Sequence, residues 1–523
     1  MNYQIFSENE WIYPDTRLGK KVKAYLHSAR NADVCFQVLT DKTLAGGENI
    51  RVSVKGLSCE VVVYQLLPAY VEQNSDATIF TTLDYESVKH FVTRKAPFEV
   101  YDITRPLEDG TLWAGWAAFY VRLNVDKDAV PGLCEGVVEL QINEETLVLP
   151  VSLTVYKAQI PELKDAAFHM VNWIYYPWLA KMHGVEIGSE EYRSLLCAYF
   201  ENQIEMRNDY LMIPAGDPVR NEEGKVVDFD FSHAAMVGNL ALQYGFKYVM
   251  GGFTARWLQW DRDDIYLLWD KEVSVTSMEG YRQMKLYFTK AWECVVENNW
   301  QEHYMQCLVD EPQQRNALSY RAMSGICRKC MPGVIINDPV ETHNIQGALD
   351  VWVVKQATYE KDIAEYQTLQ KLGEEVWIYT CGYPAGSMMN RVMDLPLTVS
   401  RLPMWMCYLY RCPGFLHYGY HLHREEVERD TCPRTASGKR LPAGNSFVVY
   451  PARNGELKPW YAVRGHIQRQ AACDYELFEL LAKKKSGEIA DELIRKVCRG
   501  FDDYESSAEL FDRVHRELLE LLG

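Results

Sequence analysis

The chain has 523 residues, and since single cores stop growing at roughly 250–300 residues, two or more domains are expected. Apolar residues make up 48% and charged residues 24%, an ordinary globular balance, with a formal net charge of −17. No basic cluster offsets that charge, which argues against nucleic acid and against anionic membrane surfaces as partners.

The opening residues, MNYQIFSENEWIYPD, lack a basic segment followed by an apolar one, and no run of about 18 apolar residues occurs anywhere. A soluble, cytoplasmic protein without membrane insertion is expected. The 14 cysteines are scattered as free core thiols would be in a reducing compartment. Cys327 and Cys330 form a lone CxxC within a helical pattern, with no second pair at zinc spacing, and read as structural thiols.

Residues 1–157 read as all-β. Runs alternating with period two, among them VCFQVL, IRVSVKG, CEVVVYQLL, GWAAFYVRLNV and VVELQI, are separated by turn residues at the spacing of a β-sandwich. The segment 158–167 reads as a linker. From about 168 the rhythm becomes strand, loop, helix, repeated. The strands are FHMVNWIYY, DYLMIPA, KYVMGGF, YMQCLVD, GVIIND, LDVWVV, VWIYTC and GFLHYGY, and helical windows fall at 189–207, 277–300, 313–330, 359–372 and 396–410. Continuous apolar strands suit a parallel sheet buried on both faces, and eight such units suit a TIM (β/α)8 barrel. The tail, about 485–523, is helical by its i, i+3/i+4 apolar spacing and is grouped with the barrel as a domain spanning 168–523.

The fourth strand ends in Asp310 and Glu311, followed by Pro312. Acidic residues before a helix also serve as N-terminal caps. In a TIM barrel, however, the C-terminal ends of the strands carry the chemistry. Neighbouring strand ends add polar and aromatic groups at the same level: Trp173 and Tyr175, Asn337, Trp352, Tyr379, Tyr418 and Tyr420. The surplus of 14 Trp and 33 Tyr suits stacking on the apolar faces of sugar rings as well as core packing. Adjacent carboxylates serve one side of a reaction. Most glycosidases instead place two carboxylates on opposite sides of the scissile bond, about 5–5.5 Å or about 6.5–9.5 Å apart, whereas a substrate whose own 2-acetamido group attacks needs no second one.

His417, His421 and His423 lie near Glu425 and Glu426 in a long loop without a clear third zinc ligand, and read as structural or substrate-loop residues. Arg464, Arg469 and Asp474 read as an ion-paired, barrel-closing helix. The GGF at 251–253 reads as the exit of strand three, and Trp257 and Trp260 after it suit either an outer subsite or barrel packing.

The stretches LVDEP, LDVWVV, EEVWIYTCGYP, Met389–Tyr420, FVVYPA and VRGHIQRQAACDYELFELL carry a family likeness. Through them the chain resembles glycoside hydrolase family 123, β-N-acetylgalactosaminidases with an N-terminal β-sandwich and a C-terminal TIM barrel, over about 168–483 and most closely from 301 onward. It also resembles a wider set of proteins sharing that barrel's C-terminal half. The resemblance implies a retaining exo-glycosidase acting on β-linked N-acetylhexosamine, N-acetylgalactosamine first, through an oxazolinium-like intermediate and without metal or organic cofactor.

It makes Glu311 the general acid/base and Asp310 the residue that orients the acetamide and stabilises the intermediate; because like charges disfavour one another, Glu311 is expected to stay protonated while Asp310 is ionised. It assigns Trp352, Tyr379, Asn390 and Tyr418 to the sugar pocket, where Trp173, Asn337 and Tyr420 are added from their strand-end positions. The pattern departs at Tyr418-Gly419, usually Trp-Gly, and at Ala443-Gly444-Asn445, usually Gly-Asp-Gly. The expected partner is an oligosaccharide or glycoconjugate; oligomeric state stays open. A glycosidase of other sugar specificity and a non-catalytic carbohydrate-binding protein are the alternatives.

Overall fold

The computed structural model describes residues 1–257, 263–435, 438–453 and 455–523, so Trp260 lies outside the described residues. Packing divides the chain into two compact units, one of Met1–Phe168, Cys381–Leu409 and Gly419–Gly523, the other of His169–Thr380 and Tyr410–Tyr418.

The first unit is built on two sheets. Five strands run in the order Tyr3–Ser7, Ala32–Leu44, Gly115–Val125, Glu60–Val71, Phe98–Pro106, all antiparallel. Four run in the order Ala24–Arg30, Glu145–Gln159, Gly132–Ile142, Ile50–Lys55, with the first joined in parallel and the others antiparallel. Side chains alternate across a strand. Val34, Phe36 and Val38 therefore point one way and meet Leu140, Leu149 and Val151 of the other sheet in one core. This is the face-to-face packing of a sandwich.

The alternate residues Cys35, Tyr64, Leu66, Ile103 and Tyr120 bury the opposite face against Met393, Phe447, Trp460 and Ile467. Helices Val463–Lys484, Gly487–Arg495 and Ala508–Leu522 thus share a compact unit with the sandwich, whereas the sequence reading grouped them with the barrel. The physical reason is a sheet with two apolar faces. One is covered by the partner sheet, and the other needs cover from elsewhere in the chain.

Helix Val463–Lys484 carries ion pairs, as expected, but its two arginines reach the sandwich while Asp474 pairs with Arg401. Arg464 meets Asp102 at 2.8 Å with both side chains fully buried, and Arg469 meets Asp33. Two glycines at the positions where the family pattern departs leave no room for a side chain. A Cβ at Gly419 would lie 2.5 Å from the Ser446 Cα, and one at Gly444 (φ +75°) would lie 2.6 Å from the Arg464 guanidinium.

Within this unit Arg401 donates to Asp474 at 2.7 and 2.8 Å and to Glu8 at 3.2 Å, while the buried Oε2 of Glu8 has no partner. Burial pushes the Glu8 carboxyl up to about 7, against the pull of Arg401. A raised carboxyl favours the fold at low pH and loses that contribution as pH climbs from the unfolded value through the folded one. Glu8→Gln, which mimics the protonated form, should therefore match the parent near pH 4.5. By pH 8 it should be more stable by up to about 3 kcal/mol, 1.36 kcal/mol per unit. Thermal melts at the two pH values check this; a variant less stable at pH 8 would refute it.

The second unit is an eight-stranded parallel sheet of β1 (His169–Asn172), β2 (Tyr210–Met212), β3 (Tyr248–Gly251), β4 (Tyr304–Gln306), β5 (Ile335–Val340), β6 (Val351–Lys355), β7 (Glu375–Thr380) and β8 (Gly414–His417). The order is β1-β8-β7-β6-β5-β4-β3-β2. The two ends of that order approach closely: Asp209, just before β2, donates its backbone N–H to Met170 O of β1 at 3.2 Å and accepts Met170 N at 3.0 Å, so the sheet is nearly closed. Helices Glu190–Glu205, Ser232–Gln243, Met278–Glu297, Ala317–Cys330 and Ile363–Lys371 lie between strands.

Near the strand starts, Tyr210 stacks on Tyr248 at 4.9 Å and meets Trp377 edge-on at 4.9 Å, with His169 stacked on Trp377 at 5.8 Å. Part of the aromatic surplus is thus core. Cys327 is buried, with Sγ 3.8 Å from Met331 Sδ, in keeping with a structural thiol. Among the described residues no helix is long and apolar enough to cross a membrane.

Candidate active site

Regular pairing of β4 stops at Gln306, and the chain stays extended through a single parallel bridge between Ala255 and Val309 before reaching Asp310. Leu308 N is pinned by the buried Asp338 carboxylate at 2.9 and 3.1 Å, which also accepts Tyr320 OH at 2.7 Å. Pro312 disfavours the right-handed helical region for the residue before it. Glu311 instead takes φ +49°, a left-handed conformation that strains a glutamate by about 1–2 kcal/mol.

Three hydrogen bonds hold the turn: Glu311 N to Pro339 O at 3.0 Å, Glu341 N to Pro312 O at 3.1 Å, and Trp257 Nε1 to Asp310 O at 2.8 Å. Trp257 therefore serves the turn directly. The helix start that follows is capped by Gln313 and Asn316, whose side chains and backbone bond reciprocally. The acidic pair is not needed as a cap.

The Glu311 carboxylate is the hub of a network. Its Oε1 accepts Tyr379 OH and lies 2.9 Å from Lys355 Nζ. Lys355 is buried, closes β6, and also pairs with Glu341 Oε1; Glu341 Oε2 accepts Gln313 Nε2 at 2.9 Å. The register explains the convergence: Lys355 on β6 stands opposite Tyr379 on β7, with its ammonium 5.7 Å from the Tyr379 ring centroid.

Burial pushes the Asp310 carboxyl well above the usual carboxylate range; Glu311 and Glu341 add to the push and Lys355 opposes it. This direction runs against the expectation that Asp310 is the ionised member of the pair. Burial, with Asp310 nearby, also raises the Tyr175 phenol.

Trp173 follows β1, is 5% exposed, meets Phe253 edge-on at 5.3 Å, and leaves its indole N–H without a partner. Asn337 on β5 is fully buried with both amide atoms unpartnered; adjacent Asp338 bonds Leu308 and Tyr320, so alternation turns Asn337 to the other face of the sheet. Tyr418, just past β8, stacks on His417 at 5.0 Å.

Trp352 is a correction. It sits three residues before Lys355, hence on the opposite face of β6, and its indole donates to Glu374 at 3.0 Å beside the start of β7. Asn390 and Tyr420 belong to the first unit. Asn390 donates its amide to Cys381 O at 2.7 Å, and Tyr420 is fully buried, with its carbonyl accepting Val448 N at 2.9 Å. Among the described residues no group of three or more His, Cys, Asp or Glu side chains is placed to hold a metal ion.

Sequence reasoning passed over Lys355 and Glu341. The signal was present: a lysine ending the wholly buried run VWVVK, and a glutamate directly after the strand end NDPV. A charged residue closing a buried parallel strand needs a partner.

The family model for the glycoside hydrolase 123 catalytic domain matches residues 173–481. No curated protein matches the chain. Among solved structures, a family 123 glycoside hydrolase from Clostridium perfringens, described for glycolipid glycan hydrolysis, is similar with a TM-score of 0.74 at 13% identity, over 100% of this chain and 96% of that one. A family 39 glycoside hydrolase from Bacteroides cellulosilyticus WH2 follows at a TM-score of 0.37 and 11% identity, over 82% and 80% of the two chains, a likeness too weak to carry an argument.

Proposed function

The chain belongs to glycoside hydrolase family 123, and from that premise we propose that it is a retaining exo-glycosidase cleaving β-linked N-acetylhexosamine, N-acetylgalactosamine first, by substrate-assisted catalysis on a TIM barrel. The observation that carries the mechanism is the placing of two consecutive carboxylates at the exit of β4 beside the C-terminal end of β7, where Tyr379 and Thr380 stand in place of a second carboxylate.

In the first step the acetamido oxygen attacks the anomeric carbon while the glycosidic C–O bond breaks. Glu311 gives its proton to the leaving oxygen, and Asp310 accepts the amide N–H. A carboxyl group with raised proton affinity is suited to draw that amide proton as the oxazoline ring closes. In the second step water attacks the anomeric carbon as the ring C–O bond breaks, Glu311 recovers a proton from the water, and Asp310 returns the amide proton so that the acetamide reforms. Two inversions give retention.

Asn337 and Trp173, with buried and unpartnered polar atoms, together with Tyr379 and Tyr418, are the residues proposed to meet the sugar. Glycans of the glycolipid type hydrolysed by the structural neighbour are the first natural substrates to try.

A second reading has one observation in its favour. Glu341 shares Lys355 with Glu311, and a third carboxylate in the network is a candidate nucleophile for an ordinary two-carboxylate mechanism. Matched nitrophenyl β-glycosides with and without the 2-acetamido group separate the two. Substrate assistance predicts rapid release only from the acetamido sugars. Comparable hydrolysis of a plain galactoside or glucoside would sink that mechanism and bring Glu341 forward.

A further inference from the structure

We propose that Lys355 is a positioning residue that governs proton traffic at Glu311 and that Glu341 meters the influence of its charge, an inference resting on the reading of Glu311 as general acid/base. The geometry is a chain of charges: Glu341 Oε1 to Lys355 Nζ, and Lys355 Nζ to Glu311 Oε1 at 2.9 Å, with the lysine side chain 5% exposed and that of Glu311 12% exposed. Tyr379 OH meets the same Oε1.

The groups facing Glu311 are Asp310 beside it in the chain, Glu341 after β5, Lys355 from β6 and Tyr379 from β7, with Tyr175 near Asp310. A general acid/base must both release a proton and take one back in every cycle, which requires a proton affinity near the working range. A buried ammonium serving one carboxylate alone favours its ionised form by about 1–3 pH units. Glu341 pairs with the same ammonium, so its charge is divided between two carboxylates and the removal of either partner changes what Glu311 meets. The ammonium nevertheless remains to stabilise the carboxylate left behind.

The test is the pH dependence of kcat/KM on nitrophenyl β-N-acetylgalactosaminide, for the parent and for Glu311→Gln, Lys355→Met, Lys355→Arg and Glu341→Gln. The alkaline limb should disappear in Glu311→Gln. It should move up by about one pH unit or more in Lys355→Met, move down in Glu341→Gln, and stay near the parent position in Lys355→Arg. Opposite shifts from the two removals are a result that a merely structural salt bridge cannot produce.

Shifts in the same direction, or none, with the limb lost in Glu311→Gln overturn the role of Lys355 alone. A limb that survives in Glu311→Gln overturns the acid/base reading and this proposal with it. Complete inactivity of Glu341→Gln on a folded protein overturns the metering role and favours the nucleophile reading. If Lys355→Met does not fold, the downward shift in Glu341→Gln and the parent-like limb in Lys355→Arg still decide.

Discussion

Glu311→Gln should fold like the parent and lose activity in proportion to how much its substrate needs protonation. Gln keeps the shape of the side chain, and Lys355 retains Glu341 as a counterion. On a substrate with a poor alcohol leaving group, turnover should fall by about 10²–10⁴-fold, the usual worth of general acid catalysis, or about 2.7–5.5 kcal/mol of barrier. A dinitrophenyl glycoside leaves with little proton assistance, so its first step should be nearly untouched and the oxazoline should accumulate. Added azide, which needs no general base, should then speed turnover of the activated substrate. Equal losses on both substrates would remove Glu311 from the role.

Asp310→Asn should show the complementary pattern. In the proposed mechanism the amide hydrogen bond to Asp310 strengthens as positive charge develops on the closing ring, so the interaction is worth most in the transition state. Turnover should drop by about 10²–10³-fold while ground-state affinity for the product sugar changes by less than about tenfold. A thiazoline analogue of the closed ring should bind the parent far better than the free sugar and lose most of that advantage in the variant.

The pH profile adds a second readout. Because burial and the neighbouring carboxylates hold the Asp310 carboxyl above the ordinary range, the reactive ionised form is gained only as pH rises through that raised value. The acidic limb of kcat/KM should therefore lie above the usual carboxylate range in the parent and vanish in Asp310→Asn. A limb unchanged in the variant would assign it to another group.

Much of the architecture was legible because it follows from local rules. The period-two runs of residues 1–157 become the two antiparallel sheets, since alternation buries every second side chain. The apolar runs after 168 become the parallel strands, whose two buried faces leave no room for alternation. What local pattern could not say is which face a given residue occupies. Trp352 and Lys355 both end up buried, yet lie on opposite sides of β6, and only the register against β7 separates the residue that reaches Glu311 from the one that bonds Glu374. Strand-end proximity alone therefore overpredicted the pocket at Trp352 and missed Glu341, one residue beyond the end of β5.

The sequence by itself determined the two kinds of sheet, the exit of Asp310 and Glu311 from the fourth parallel strand, and the family. These depend on residue type and spacing within short windows. Only the tertiary structure decided that helix Val463–Lys484 covers the sandwich through Asp102 and Asp33, that Gln313 and Asn316 rather than the acidic pair cap the following helix, and that Lys355 joins Glu311 to Glu341. Ion pairs between buried groups are set by which backbones lie side by side. That adjacency arises from burying apolar faces formed by segments far apart in the chain, so no window of sequence contains it.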